Sequence, residues 1–190
     1  MKKTWDDVWR EGESLNIFGR RLRREQAKAI KKFLPKNVKN VLDVGCGLGR
    51  TMDVFMECGL DVVGIDVSPT SIKICKSKGL NVFLMDGSKT DFENRSFDLV
   101  FSDGLLEHFE DFEPFVKEWC RIADRYVMLT QPNHFSVLGR ILKSLNRHTV
   151  KEYSYRIIDF ERVFKKNNFK LLKRGSYNFN EQWVLLFERI

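Results

Sequence analysis

The chain has 190 residues, of which 43% are hydrophobic and 31% charged, with a formal net charge of +7. These proportions predict one globular domain with a substantial core. No apolar run approaches the ~18 residues that span a membrane, and the N-terminus lacks the apolar core of a signal peptide. Four cysteines (Cys46, Cys58, Cys75 and Cys120) form no CxxC pair. We therefore expect reduced thiols in a cytoplasmic protein, without a disulfide framework or a zinc site.

The positive charge is unevenly distributed along the chain. Residues 1–36 hold 11 Lys and Arg against 5 Asp and Glu, and residues 131–156 hold 5 against 1. Residues 37–130, in contrast, hold 10 against 16. Basic surfaces of this kind suit an anionic substrate, a nucleic acid or an acidic membrane surface, but an ordinary solvated surface has the same composition.

Hydrophobic periodicity and turn residues predict alternating helices and strands. Helices are expected over residues 4–10, 18–34, 51–58, 68–78, 112–123, 135–145 and 155–166. Strands are expected over residues 41–44, 60–65, 81–85, 97–102, 125–130, 169–177 and 182–189. This order predicts an α/β fold, a Rossmann-like seven-stranded, mostly parallel sheet with helices on both faces. The short link between the last two strands predicts a C-terminal antiparallel hairpin.

The stretch Asp43-Val44-Gly45-Cys46-Gly47-Leu48-Gly49 is the most informative in the chain. A buried strand ends there and three glycines at alternate positions precede a helix, so the backbone can bend sharply and approach a ligand closely. A dinucleotide-binding turn requires Gly-x-Gly-x-x-Gly, but Arg50 occupies its third glycine position. The pattern Asp-x-Gly-x-Gly-x-Gly resembles motif I of the class I S-adenosylmethionine-dependent methyltransferases.

Acidic residues follow the next predicted strands. Asp66 after strand two can accept hydrogen bonds from ribose hydroxyls, as in dinucleotide folds, although it could also cap the following helix. The resemblance implies that Asp86 reads the adenine amino group, although Asp-Gly is also a common turn. It further implies that Asp43 and the Gly45 carbonyl face the methionine ammonium group and that Ser102 and Asp103 lie beside the methionine. The predicted cofactor-binding residues are Asp43, Gly45, Cys46, Gly47, Gly49, Asp66, Val67, Asp86, Gly87, Ser102 and Asp103.

His108 is the candidate catalytic residue, because histidine titrates near neutrality. A branch of the family holds a divalent metal with Glu-x-x-Glu-His, but Gly104 stands where that motif has its first glutamate. We therefore predict no metal. A purely structural hydrogen-bonded pair of Glu107 and His108 at a helix start is an equally good interpretation.

Two segments are expected to flank the acceptor. Residues 1–36 are predicted to form an N-terminal helical cap, and residues 131–156 a substrate-side insertion, both within a single domain over residues 1–190. The substrate-side candidates are Trp9, Asn133, His134 and Arg140. The 135–145 helix is amphipathic, so it can pack on the core, bind an apolar substrate or lie on an anionic membrane.

These features together predict an S-adenosylmethionine-dependent methyltransferase that acts on an O, N or C nucleophile, with a small-molecule acceptor favoured. One alternative is an RNA-directed methyltransferase whose basic segments bind phosphates. Another is a non-catalytic module that binds S-adenosylmethionine. Neither the acceptor nor the oligomeric state can be read from the sequence.

Overall fold

The computed structural model describes residues 4–11, 17–145 and 151–190. The described residues form seven α-helices: α1 (Trp5–Glu11), α2 (Ile17–Phe33), α3 (Arg50–Met56), α4 (Pro69–Ser77), α5 (Glu113–Ile122), α6 (Val137–Leu145) and α7 (Ile157–Lys166). The strands are β1 (Asn40–Val44), β2 (Asp61–Asp66), β3 (Val82–Leu84), β4 (Phe97–Asp103), β5 (Ala123–Pro132), β6 (Phe169–Tyr177) and β7 (Gln182–Arg189). A 3₁₀ helix spans Leu106–His108, which was not predicted as a separate element.

The seven strands form one sheet in the order β3-β2-β1-β4-β5-β7-β6. Strands β1 to β5 pair in parallel, whereas β7 pairs antiparallel with both β5 and β6. The predicted Rossmann-like, mostly parallel sheet with a C-terminal antiparallel hairpin is therefore confirmed. The predicted bounds of β6 and β7 match the observed ones, and the other elements shift by a few residues at their ends.

Helices cover both faces of the sheet, and each face has its own apolar core. On one face, helices α5 and α7 pack around the fully buried Trp119, Phe160 and Phe164. On the other face, α2 and α3 contribute the fully buried Ile30 and Phe55. Burying side chains of this size contributes on the order of 1.5–3 kcal/mol each, and the two cores clamp the central strands in place.

The parallel strands bring distant parts of the sequence to one edge of the sheet. The residues that follow β1, β2, β3 and β4 lie beyond the carboxyl ends of these strands, where open α/β sheets bind ligands. At this edge Ser68 caps α4, because its Oγ accepts a hydrogen bond from the Ser71 N–H at 3.2 Å. Asp66 is therefore not the cap of this helix.

Candidate active site

A cavity of about 630 Å³ opens at the carboxyl edge of the parallel strands. Ten of the predicted site residues line it: Trp9, Gly45, Cys46, Gly47, Asp66, Val67, Asp86, Gly87, Asp103 and His108. The others lie outside its wall: Asp43, Gly49, Ser102, Asn133, His134 and Arg140. A mostly apolar cavity with a few convergent polar groups is the usual form of a small-molecule site.

The glycine turn after β1 forms the floor of this cavity. Gly47 has a φ of +51°, and a Cβ at this position would lie 2.8 Å from the Trp9 ring. The Gly47 N–H donates to Asp66 Oδ2 at 2.9 Å, and its carbonyl accepts from the Cys75 Sγ at 3.2 Å and from the Ser71 hydroxyl. Glycine is required here both for its backbone conformation and for the close approach of the indole ring.

Asp66 at the end of β2 is oriented by backbone donors. Its Oδ2 accepts from the Gly47 N–H, and its Oδ1 accepts from the Ser68 N–H at 2.8 Å. Burial raises the pKa of Asp66, and these hydrogen bonds to the charged form partly oppose that shift. The Val67 backbone is a third hydrogen-bond donor to this carboxylate, which can accept about four hydrogen bonds in all, so some acceptor capacity remains.

The turn after β3 presents a carboxylate beside an apolar wall. Asp86 is exposed, and its Oδ1 accepts from both the backbone N–H and the Oγ of Ser88 at 2.8 Å. Gly87 is buried, and a Cβ there would lie 2.4 Å from Val44 Cγ1. Its carbonyl accepts from Trp119 Nε1 at 2.9 Å, which fixes the turn to the core. The neighbouring wall is made of apolar side chains: Val67, Met85, Leu105, Phe109, Pro114 and Phe115.

Three predicted cofactor-binding residues support the site from outside the cavity. Asp43 is fully buried beneath the turn, where its Oδ2 accepts from Thr51 Oγ1 and its Oδ1 has no partner among the described residues. Burial raises the pKa of this carboxyl group to about 8. Gly49 precedes α3 with a φ of +80°, and Ser102 Oγ donates to the Val44 carbonyl at 2.9 Å. These three residues stabilise the strand ends and the glycine turn, and they do not form part of the cavity surface.

The cavity wall near Asp103 also carries positive charge. Asp103 accepts from the Thr130 hydroxyl and from the Gln26 side chain, while burial raises its pKa. The Arg50 guanidinium is close enough to Asp103 to oppose that shift. Arg23 and Arg50 both line the cavity, and burial lowers the pKa of each group, with the Arg50 charge adding to the shift at Arg23.

Sequence reasoning missed Arg23 and Gln26 as site residues, although a signal was present. They precede Ile30 and Phe33 at helical spacing on the same side of α2, and both Ile30 and Phe33 are buried. Helical spacing therefore indicated that Arg23 and Gln26 face the domain rather than solvent.

His108 lies in the cavity wall at the end of the 3₁₀ helix. Its Nδ1 is 3.2 Å from the Lys151 carbonyl oxygen, which can only accept, so we assign the ring proton to Nδ1. Burial lowers the pKa of His108, with the nearby Lys151 and Gly104 carbonyls and Glu152 opposing the shift. Its Nε2 is 3.8 Å from Glu107 Oε1, too long for a hydrogen bond.

Glu107 beside it is buried, and its Oε2 has no hydrogen-bond partner in the described part of the chain. Burial raises the pKa of Glu107 to about 8, so this carboxyl group is mostly protonated at neutral pH. The Glu107 backbone carbonyl accepts from the Tyr153 N–H at 2.6 Å, which fastens residues 151–156 to this wall.

The remaining substrate-side candidates do not reach the cavity. His134 Nε2 is 3.1 Å from Glu152 Oε2, and its Nδ1 is 3.2 Å from Ser154 Oγ. Asn133 is buried and donates from Nδ2 to the Asn180 carbonyl at 2.8 Å. Arg140 is exposed on α6. Residues 146–150 of the predicted insertion, and residues 1–3 and 12–16 of the predicted cap, lie outside the described residues.

Helix α1 lies over the glycine turn. Asp6 Oδ1 accepts from Ser68 Oγ at 2.7 Å and from the Thr70 N–H at 3.0 Å, so α1 is fastened to the first turn of α4. These hydrogen bonds lower the pKa of Asp6 to about 2. Trp9 on the same helix contacts Gly47 and closes one side of the cavity.

Two features are absent from the described ranges. Within them, no group of three or more His, Cys, Asp or Glu side chains has an arrangement that could hold a metal ion. No helix in these ranges is long and apolar enough to cross a membrane.

The sheet order, the glycine turn and the acidic residues after successive strands define a class I S-adenosylmethionine-dependent methyltransferase domain. Residues 42–126 match the family described as "Methyltransferase domain". This match covers somewhat less than half of the chain, and the sheet order agrees with the class that the motifs resemble.

The chain is similar to curated proteins and to a solved structure that are named as methyltransferases. Norajmaline N-methyltransferase from Rauvolfia serpentina is 35% identical over 97 residues, which cover 46% of this chain and 33% of that enzyme. A ubiquinone biosynthesis O-methyltransferase from Pelagibacter ubique is 27% identical over 173 residues, with 76% of this chain and 67% of that enzyme covered. The structure of magnesium protoporphyrin IX methyltransferase from Synechocystis PCC 6803 with bound SAH has a TM-score of 0.76 at 20% identity, covering 97% of this chain and 93% of that one. The chain spans about a third of the length of the two Rauvolfia enzymes that it matches.

Proposed function

We propose that this chain transfers the methyl group of S-adenosylmethionine to an O, N or C nucleophile of a small-molecule acceptor. The observation that carries the proposal is the single cavity surface formed by the glycine turn, Asp66, Asp86 and Asp103. Three chemically different groups of this ligand, namely adenine, ribose and an amino acid, would each suit a different part of this surface. Curated relatives named as N- and O-methyltransferases support the reaction class but leave the acceptor open.

Asp66 and the turn after β3 fit an adenosine group. The acceptor capacity that remains at the Asp66 carboxylate suits a ribose hydroxyl group. The Asp86 carboxylate can accept from an exocyclic amino group, and the apolar wall that includes Val67 and Phe115 suits the faces of a purine ring. These are the contacts that we expect to fix the orientation of the ligand.

The opposite end of the cavity fits an amino acid group. Arg23 and Arg50 are two cations on one wall, and Asp103 is a carboxylate close to Arg50. A carboxylate of the ligand would face the guanidinium groups, and an ammonium group would face Asp103.

The bound cofactor would supply an electrophilic methyl group on a sulfonium centre. The protein aligns the acceptor for in-line displacement. Because the reactants lose translational and rotational entropy when they bind, this alignment can lower the activation barrier by several kcal/mol. An acceptor that must lose a proton needs a base, and His108 is the cavity residue suited to that role. Because the pKa of His108 is lowered, its imidazole is neutral at pH 7, the form that accepts a proton.

Binding of S-adenosylhomocysteine, measured by calorimetry, tests the cofactor site. Asp66→Asn removes a charged acceptor, so affinity should fall by about 10- to 150-fold, corresponding to about 1.5–3 kcal/mol. Asp61→Asn is the matched control, because Asp61 is exposed at the other end of the same strand. Tight binding of NAD without binding of S-adenosylhomocysteine would overturn the assignment.

Methyl transfer from S-adenosylmethionine to a broad panel of small acceptors tests the activity itself. If His108 is the base, His108→Asn should lower kcat while leaving S-adenosylhomocysteine affinity within about twofold. The wild-type rate should then decrease at low pH, where His108 becomes protonated, and this decrease should occur only below the ordinary histidine pKa of 6.5. Cofactor binding without transfer to any acceptor would instead favour a non-catalytic module.

A further inference from the structure

The turn between β6 and β7 exposes the aromatic ring of Phe179 to solvent, and its backbone has three successive positive φ values. Asn178, Phe179 and Asn180 have successive φ values of +49°, +55° and +63°. Asparagine tolerates this left-handed region, but phenylalanine rarely occupies it. The Phe179 side chain is nevertheless 72% exposed. Strained residues of this kind persist where surrounding contacts hold them, and they concentrate at functional sites.

Contacts with two other elements hold the turn in place. The Asn178 N–H donates to Glu25 Oε2 on α2 at 2.9 Å, and the Asn180 carbonyl accepts from Asn133 Nδ2 at 2.8 Å. The Arg21 guanidinium lies 4.9 Å from the centroid of the Phe179 ring. The ring is thus presented on a fixed turn beside a cation, and it contributes little to the core.

A basic surface continues from this ring along α2 and β6. Helix α2 carries seven Lys and Arg and one acidic residue, Glu25, and β6 carries three basic residues and no acidic one. A groove of about 330 Å³ runs between these two elements. We call the following residues the α2–β6 basic surface: Arg21, Arg24, Lys28, Lys32, Lys173 and Arg174.

The spacing along α2 suits an extended polyanion. Positions 21, 24, 28 and 32 recur every three or four residues, so these side chains share one side of the helix over about 16 Å. Arg21 is partly neutralised by Glu25 at 3.0 Å, and the Lys173 Nζ donates to the Lys32 carbonyl at 2.9 Å. The Arg24 and Lys28 side chains are exposed to solvent.

This surface adjoins the cavity. Strand β7 is antiparallel to β5, so the β6–β7 turn lies at the same edge of the sheet as the cavity. Gln26 on α2 lines the cavity, and its Nε2 is 3.4 Å from the Tyr177 hydroxyl at the end of β6. A ligand on the basic surface would therefore end near the rim of the site.

We propose that the α2–β6 basic surface and Phe179 bind a single-stranded polynucleotide, with phosphates along Arg24, Lys28 and Lys32 and a base stacked on the Phe179 ring. A cationic groove beside an aromatic platform is the arrangement by which proteins bind single strands without strong sequence preference. A small inorganic anion has no aromatic group that could stack on the exposed Phe179 ring. This binding is separate from methyl transfer and does not depend on it.

Fluorescence anisotropy with labelled RNA and DNA single strands of about 20 nucleotides, beginning at about 50 mM salt, tests the proposal. Phe179→Asn keeps a residue that tolerates the left-handed backbone but removes the ring, so affinity should fall by about 5- to 150-fold while the melting temperature is kept. Phe179→Leu keeps an exposed apolar side chain without a ring and should also weaken binding. These two variants separate stacking from simple apolar contact.

Replacing Arg24, Lys28 and Lys32 together by Gln should reduce the slope of log affinity against log salt by about 2, because each phosphate contact on a single strand contributes about 0.7. The matched control, Lys117→Gln with Lys165→Gln, removes two exposed cations on the opposite face of the sheet and should leave binding unchanged.

Three results would overturn the proposal: no binding of either strand at low salt, equal affinity of Phe179→Leu and wild type, or binding confined to phosphatidylglycerol vesicles. Sedimentation adds a fourth outcome against it, namely a dimer that Phe179→Asn dissociates, because the ring would then contact a second copy. The anisotropy assay needs no cofactor, so a failure to bind single strands would not contradict the proposed methyl transfer. A failure to detect methyl transfer would likewise not contradict the binding of single strands.

Discussion

Replacing Asp43 by Asn tests how burial of the motif I carboxyl group affects the folded protein. Asp43 is fully buried, one of its oxygens accepts from Thr51, and the other has no partner among the described residues. Burial raises its pKa to about 8, against an ordinary value of 3.8 that we assign to the unfolded chain. The folded form therefore binds a proton that the unfolded form has released between about pH 4 and pH 8.

Because the unfolded state binds fewer protons over this range, wild-type stability falls as pH rises. The contribution of one such group is about 1.4 kcal/mol per pH unit, which amounts to about 3–4 kcal/mol between pH 5 and pH 8. The substituted asparagine does not titrate, and its side-chain oxygen can still accept from Thr51. The stability of Asp43→Asn relative to wild type should therefore increase by about 3 kcal/mol over the same interval.

Urea denaturation followed by circular dichroism at pH 5, 6, 7 and 8 measures this difference. Asp53→Asn is the control, because Asp53 is exposed on α3 close to the same turn, and its effect should stay below about 0.5 kcal/mol. A stability difference for Asp43→Asn that stays constant within about 1 kcal/mol across the range would refute the reasoning. It would mean that the carboxylate is ionised in the folded protein and that a contact absent from this structure stabilises the charge.

Two further predictions concern the contact between α1 and the glycine turn. Gly47→Ala places a Cβ 2.8 Å from the Trp9 ring at a φ of +51°, so S-adenosylhomocysteine affinity should fall at least tenfold, as measured by calorimetry. Gly47→Ala combined with Trp9→Ala should recover part of that affinity, and no recovery would locate the whole effect in backbone strain. Asp6→Ala removes the acceptor for Ser68 and Thr70, so hydrogen exchange in residues 5–11 should accelerate and S-adenosylhomocysteine should dissociate several-fold faster. Unchanged exchange in that segment would show that α1 is held by its other contacts.

The amino-acid sequence was sufficient where the structural requirement is local. The glycine turn after β1 could be recognised because left-handed backbone and close approach at Gly47 require the absence of a Cβ. The helix predicted over residues 68–78 begins at Ser68, and the structure places this residue at the cap of α4. The bounds of β6 and β7 followed from the same kind of local pattern, because a short link joins two runs of strand-forming residues.

The tertiary structure alone decided which side chains reach the cavity. Asp43 and Ser102 lie in the motif segments but are fully buried, where Asp43 accepts a hydrogen bond from Thr51 and Ser102 donates one to the Val44 carbonyl. Arg23 and Gln26 come from a helix outside those motifs and enter the wall because α2 packs on the sheet. Asp6 contacts residues more than sixty positions away, and no local pattern encodes a contact at that separation. The sequence determined the fold class and the order of the turns at the carboxyl edge of the sheet, while long-range packing selected the residues that line the cavity.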